Sequence, residues 1–451
     1  MKNSRILLVL GGIAMVGGVH AAVPVEEAKQ LGTSLTWIGA EKSGNSAGTI
    51  PEYTGGLGTP PAGYDRKNPG HRPDPFGNEK PTLTIDAKNV DKYADKLTEG
   101  TKALIKKYPT FRVDVYPTHR TAAVPKYVRD NTLKNALNCK TTNAGEAVDG
   151  CHGGVPFPIP KDGYEAMWNH LLRFGGFSYF VTQRTYYVDS SGKKVMTGQN
   201  DIHQEYPYYD PNKTSTDKYW MISWTSTAPS RIAGDAVTLI DPMSFVTDSR
   251  KAWQYLPGQR RVKLAPELAA DTPMAQSAGA NTYDDMALFA GRMDRFNFKL
   301  LGKKEMYIPY NSYKLNDPKS CPDDKVVTPN HLNPECIRWE LHRVWVVEAN
   351  LKPGKRHVYS KRVFYWDEDT FNAGASDQYD ASGKLYRVGF NYMIQRYETP
   401  APTADTYGHY DLVNGIYVIN SLAAETKGYF DVPQQSARWW TADGLSARGL
   451  R

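Results

Sequence analysis

The clearest pattern in the chain lies between residues 338 and 422, where apolar and polar positions alternate with a period of two. Over 338–349 the odd positions read Trp339, Leu341, Arg343, Trp345, Val347 and Ala349, and the even set begins Arg338, Glu340, His342. Beyond Leu351-Lys352-Pro353-Gly354-Lys355, a turn, the even positions Val358, Ser360, Arg362, Phe364 and Trp366 repeat the pattern. Tyr386, Val388, Phe390, Tyr392 and Ile394 form a third run, and Leu412, Asn414, Ile416, Val418, Asn420 and Leu422 a fourth. Such alternation predicts long strands of one antiparallel sheet, with one face sequestered and one wet. Trp339, Leu341, Trp345, Val347, Val358, Phe364, Trp366, Tyr386, Val388, Phe390 and Tyr392 are therefore the candidate lining of an apolar ligand site.

Other segments fill in the architecture. Strands are predicted over 111–116, 177–188, 195–204, 219–225 and 236–240, and a strand–turn–strand unit starts at Trp253. A helix over 87–108 carries Val90, Tyr93, Leu97, Leu104 and Ile105 on one stripe and stops at Pro109. A second helix over 163–174 opens at Asp162, with Glu165 three residues on as in a capping box. Residues 265–295 read as irregular to helical. Few helices for so large a sheet leave part of an apolar face uncovered, and such a face tends to be a binding groove. The fold class is thus α+β: a large, strongly curved antiparallel sheet covered by a few helices. Residues 22–85, dense in Gly and Pro from Gly44 to Gly77, form a wrapping arm; 86–451 form a single body.

Lys2 and Arg5, an apolar run from Ile6 to Val19 and Val19-His20-Ala21 read as a secretory signal peptide over 1–21, cleaved near Ala21. The run is too short to span about 30 Å of hydrocarbon, no other segment is long and apolar enough, and export to a periplasm is the expected address. The formal charge of +7 falls by the two lysine and arginine charges of that segment, leaving a mildly basic chain without the clustered basic face nucleic acid requires. Cys139, Cys151, Cys321 and Cys336 fall in two sequence-local pairs, and an exported chain permits their oxidation. Each disulfide would stabilise by roughly 3 kcal/mol for a loop near 15 residues.

Nucleotide-binding, zinc-protease, nucleophile-elbow and calcium-loop patterns are absent from the sequence, so no cofactor, metal or catalytic residue is assigned. Asp284, Asp285 and Asp294 offer carboxylates for a hydrolase, but acids at loop starts more often cap helices or pair with arginine. Asp367-Glu368-Asp369 reads as a solvated hairpin tip, and His342 and His357 as a cross-strand pair on a wet face. The aromatic content, 10 Trp and 29 Tyr against 14 Phe, suits surfaces that meet lipid, sugar or a partner protein.

Longer motifs carry a family resemblance. Leu35-Thr36-Trp37-Ile38-Gly39-Ala40-Glu41, Gly154-Val155-Pro156-Phe157-Pro158-Ile159-Pro160, Trp253-Gln254-Tyr255-Leu256-Pro257-Gly258-Gln259-Arg260 and Arg343-Val344-Trp345-Val346-Val347-Glu348-Ala349 resemble those of domain-of-unknown-function family 1329. That family is grouped with outer-membrane lipoprotein-sorting proteins of the LolA/LolB type. The resemblance implies an incomplete barrel closed by helices, with a cavity for a lipid or other hydrophobic ligand. It also implies a periplasmic carrier or docking protein working with an RND-type exporter and outer-membrane proteins. A scaffold subunit of such an exporter, without ligand carriage, is the alternative expectation, and a secreted hydrolase the third.

Overall fold

The computed structural model describes residues 23–449, and the signal-peptide segment lies outside them. Sixteen strands form one sheet that is not closed into a barrel. All its pairings are antiparallel except a parallel bridge of Trp339 to Val115. In spatial order, Trp339–Leu351 is followed by Lys361–Asp367, Gly374–Tyr379, Leu385–Asn391, Tyr407–Asp411, Ile416–Leu422, Ser178–Val188, Lys194–Glu205, Lys218–Ala228 and Ala236–Pro242. Phe296–Pro309 pairs along the whole outer side of Trp339–Leu351. Its Cα atoms nevertheless come within 8 Å of Gly374–Tyr379 and Leu385–Asn391, three and four places along the sheet. A flat sheet would separate strands that far apart by three or more spacings of about 4.8 Å, so this end is tightly curled.

Both faces of the sheet are covered. On one face, helix Gly163–Leu171 lays Trp168 and Met167 against Phe364, Trp366 and Val347. The helix lies close because Gly163 has no side chain: a Cβ there would fall 2.5 Å from the Phe298 carbonyl carbon. Asp162 caps it as expected, accepting from the Glu165 amide at 2.9 Å. On the other face, helix Glu99–Lys107 buries Leu104 and Ile105 among Val388, Phe390, Val346 and Tyr365. Asp377, on the sheet, accepts from the amides of Glu99 and Gly100 at the N-terminus of that helix.

Several expectations are corrected. The 87–108 helix is two pieces, a 3-10 turn at Val90–Lys96 and the helix Glu99–Lys107, because extended Leu97 breaks the run and Thr98 caps the second. The fourth alternating run is not one strand: Asp411 turns the chain, accepting from the amides of Val413 and Asn414, and strand resumes at Ile416. Val358 and Ser360 precede their strand, which begins at Lys361. Helix Lys126–Asn138 and strand Phe296–Pro309 are elements that the sequence pattern missed. Cys139–Cys151 and Cys321–Cys336 are bonded.

Residues 41–72 contact the rest of the chain at specific points. Arg120 donates to the carbonyls of Glu41 and Lys42, Tyr53 to that of Ala122, and buried Arg72 pairs with Glu398. Among the described residues no helix is long and apolar enough to cross a membrane.

Candidate ligand-binding cavity

The eleven aromatic and aliphatic positions picked out by alternation do not share a face. Cross-strand register puts Trp345 opposite Trp366 and Val347 opposite Phe364, on the side of helix Gly163–Leu171. Val388 and Phe390 point to the opposite side, with Tyr392 in the same cluster. Trp339 and Leu341 join that second cluster as well. Lys361–Asp367 pairs with residues 344–350 of the long strand and not with its start, and Trp339 meets Phe390 edge-on at 5.3 Å. Val358 is exposed and Tyr386 half-buried. The protein's own side chains fill this end on both sides: Trp366, for instance, stacks on His170 at 3.6 Å.

The segment read as irregular, 265–295, does much of the filling. Residues Tyr283–Leu288 form a 3-10 turn opened by a capping box between Thr282 and Asp285. Arg362 is fully buried and holds the turn: it donates to Asp284 at 3.1 Å, to Asp285 at 2.8 Å and to the Leu288 carbonyl at 2.8 Å. Tyr359 adds a 2.7 Å bond to Asp285, and His357 lies 2.9 Å from Asp284. Asp284 ionises far below the usual carboxylate range, because the charges of Arg362 and His357 outweigh its burial. Ala287 and Leu288 take left-handed backbone angles, φ 46° and 74°, uncommon for residues with a Cβ. Asp284 and Asp285 thus anchor the turn to the sheet, and Asp294 pairs with Arg292 and Lys355.

The other acidic cluster is corrected too. Asp367, Glu368 and Asp369 are buried, not a solvated tip. Arg120 grips Asp369 with two bonds of 2.7 and 2.8 Å, and Lys303 and Arg343 reach Glu368 at 2.8 and 3.3 Å. His342 lies on no wet face: it sits between Glu340 at 3.1 Å and Asp367 at 3.3 Å, stacked on Tyr310. Burial disfavours its charge, but the two carboxylates outweigh that and raise its pKa to about 9.

The sheet is hollow beyond the filled end. A cavity of about 850 Å³, part of it open to solvent, lies over strands Ser178–Val188, Lys194–Glu205 and Lys218–Ala228, on the same face as helix Gly163–Leu171. It is a partly enclosed slot lined by both apolar and polar side chains. Register builds the floor: Gln183 faces Asn200, Ile202 faces Trp224 and Gln204 faces Ile222. Met274, Met286 and Phe289 of the inserted segment form the roof, and Arg173, Asp405 and Asn420 stand on the wall. None of the eleven positions from the alternating runs lines it. Strand patterning located the floor strands, and Gln183, Asn200 and Gln204 stand there among the apolar residues.

A profile of the DUF1329 family, proteins of unknown function, matches residues 84–446. The chain is a DUF1329 protein. A Pseudomonas aeruginosa member is 41% identical over the full length of both chains and is described as an uncharacterized protein. Among solved structures, this DUF1329 chain is similar to an outer-membrane lipoprotein-sorting protein domain, so named, from Vibrio parahaemolyticus, with TM-score 0.44 and 15% identity over 62% of this chain and 97% of that one. A DUF1329 family protein from Desulfovibrio piger gives TM-score 0.40 and 13% identity over 59% and 90%. A LolA superfamily protein from Nitrosomonas europaea gives 0.35 and 12% over 60% and 93%.

Proposed function

We propose that this DUF1329 protein is a periplasmic carrier or docking protein that shelters an apolar molecule in the slot over Ser178–Val188, Lys194–Glu205 and Lys218–Ala228. The observation that carries this reading is the slot itself: a sheet face built from Ile202, Ile222 and Trp224, left empty and roofed by Met274, Met286 and Phe289. Protein interiors are ordinarily close-packed, so an unfilled apolar slot is a place for something else. Each methylene that leaves water there contributes about 0.8 kcal/mol, and two methionines give the roof side chains that adapt to a guest. Export rests on the basic and apolar start of the sequence, and the partnership with an RND-type exporter rests on the family motifs; both belong to the proposal. Native mass spectrometry of protein purified from its periplasm without detergent tests it. The expected result is a bound lipid-sized mass, lost on extraction and absent from an Ile222→Trp variant whose larger side chain fills the slot. A clean apo mass that takes up no lipid on incubation would refute carriage.

The scaffold reading draws on a different observation, the solid packing of both faces between Trp339 and Tyr392. It predicts that Ile222→Trp leaves export function in cells unchanged, whereas carriage predicts its loss.

A further inference from the structure

The slot's wall is not that of a plain hydrocarbon site. Arg173 follows helix Gly163–Leu171 and lines the slot. Its Nε donates to Asn372 at 3.1 Å and one terminal nitrogen to the His170 carbonyl at 2.8 Å. Both partners are neutral, and no carboxylate among the described residues forms an ion pair with it, although most buried or half-buried arginines of this chain have one: Arg72, Arg120, Arg250, Arg338, Arg362 and Arg396. The wall's carboxylic acid, Asp405, is engaged by the Tyr179 hydroxyl at 2.6 Å. Burial pushes the Asp405 pKa up, against the Tyr179 hydrogen bond and the charges of Arg173 and Arg396, and it forms no close ion pair with Arg173. Asn420 is 4% exposed and lines this space, and its side-chain amide nitrogen has no hydrogen-bond acceptor. A buried donor left unmet is costly, and a half-buried cation held by neutral partners gains from a nearby anion. An unmet donor at Asn420 on the same wall as an arginine whose hydrogen-bond partners are neutral matches a guest that brings an anion.

We propose that the slot takes an amphiphile with one anionic head, of the long-chain carboxylic acid class, the chain along Ile202, Ile222 and Trp224 and the head at Arg173. This rests on the cavity reading above and goes beyond it by fixing the head's charge. The charge of Arg173 decides the head, since a charge-assisted bond in a partly desolvated site is among the stronger hydrogen bonds.

The test titrates the delipidated mature protein with palmitate and with hexadecanol, both below their aggregation concentrations, and reads tryptophan fluorescence from Trp220 and Trp224, which line the slot. Wild type is expected to hold palmitate at least tenfold more tightly than hexadecanol. Arg173→Gln should lower palmitate affinity roughly tenfold and leave hexadecanol within twofold, with Arg173→Lys intermediate. Asn420→Asp places a negative charge on the same wall without touching the helix end that Arg173 supports, and should weaken palmitate alone. Equal affinity for acid and alcohol, or equal losses for both in these variants, would overturn the anionic-head inference while leaving the slot as a binding site. Failure of both ligands to bind wild type would remove the carrier reading itself.

Discussion

Arg362 Nη2 donates to Asp285 Oδ1 at 2.8 Å, and neither side chain is exposed to solvent. The pair fastens the inserted 282–290 segment to the sheet, and that segment separates the filled end from the hollow one. Breaking a buried pair from one side leaves an uncompensated charge and costs about 3–5 kcal/mol. Arg362→Met should therefore lower the unfolding free energy by that amount in a denaturant titration. Arg362→Met combined with Asp285→Asn should recover part of the loss, because the stranded carboxylate is gone.

Gly389 lies beneath the same segment. A Cβ there would sit 2.7 Å from Leu288 Cδ2, 2.7 Å from Ser376 Oγ and 2.9 Å from His409 Nε2. Gly389→Ala is expected to destabilise by about 1–3 kcal/mol through overpacking. Leu288→Ala in the same chain should give a double variant more stable than the two single losses predict. Additive losses in thermal or chemical unfolding would show that the insert does not press on this strand.

His342, between Glu340 and Asp367, gives the protein a pH signature. Its folded pKa of about 9 lies above the ordinary 6.5, so the folded state binds the proton more tightly. That stabilisation is fully present below about pH 6.5 and is lost as pH rises through about 9, a change on the order of 3 kcal/mol at most. Unfolding free energy measured from pH 6 to 10 should decline across that window. His342→Gln, which keeps hydrogen-bonding capacity and cannot take up the proton, should flatten the decline.

Much of the sheet was legible because period-two patterning needs only local sequence: 178–188, 194–205 and the hairpin at 251–264 all carry it. Phe296–Pro309 escaped because its edge position carries Lys299, Lys303, Lys304 and Glu305, and a register shift near Gly302 breaks the alternation. Which face a run presents was not legible. Alternation gives parity, but two covered faces look alike, so Phe364 and Phe390 were grouped although they point apart. The buried acids were misread for the same kind of reason: the partners of Asp369 and Glu368, Arg120 and Lys303, lie far off in sequence. The slot emerges only when the 265–295 segment, without periodicity of its own, is seen to pack against one end of the face and roof the other.

The central claim is that the hollow lies over Ser178–Ala228 and not between Trp339 and Tyr392. Quenching of tryptophan fluorescence by a bromine-bearing long-chain fatty acid reads this directly, because the heavy atom quenches only rings it touches. The account predicts saturable quenching that a Trp220→Phe, Trp224→Phe double variant largely abolishes while still binding the acid. Quenching unchanged in that variant, and lost instead on replacing Trp345 and Trp366, would contradict it.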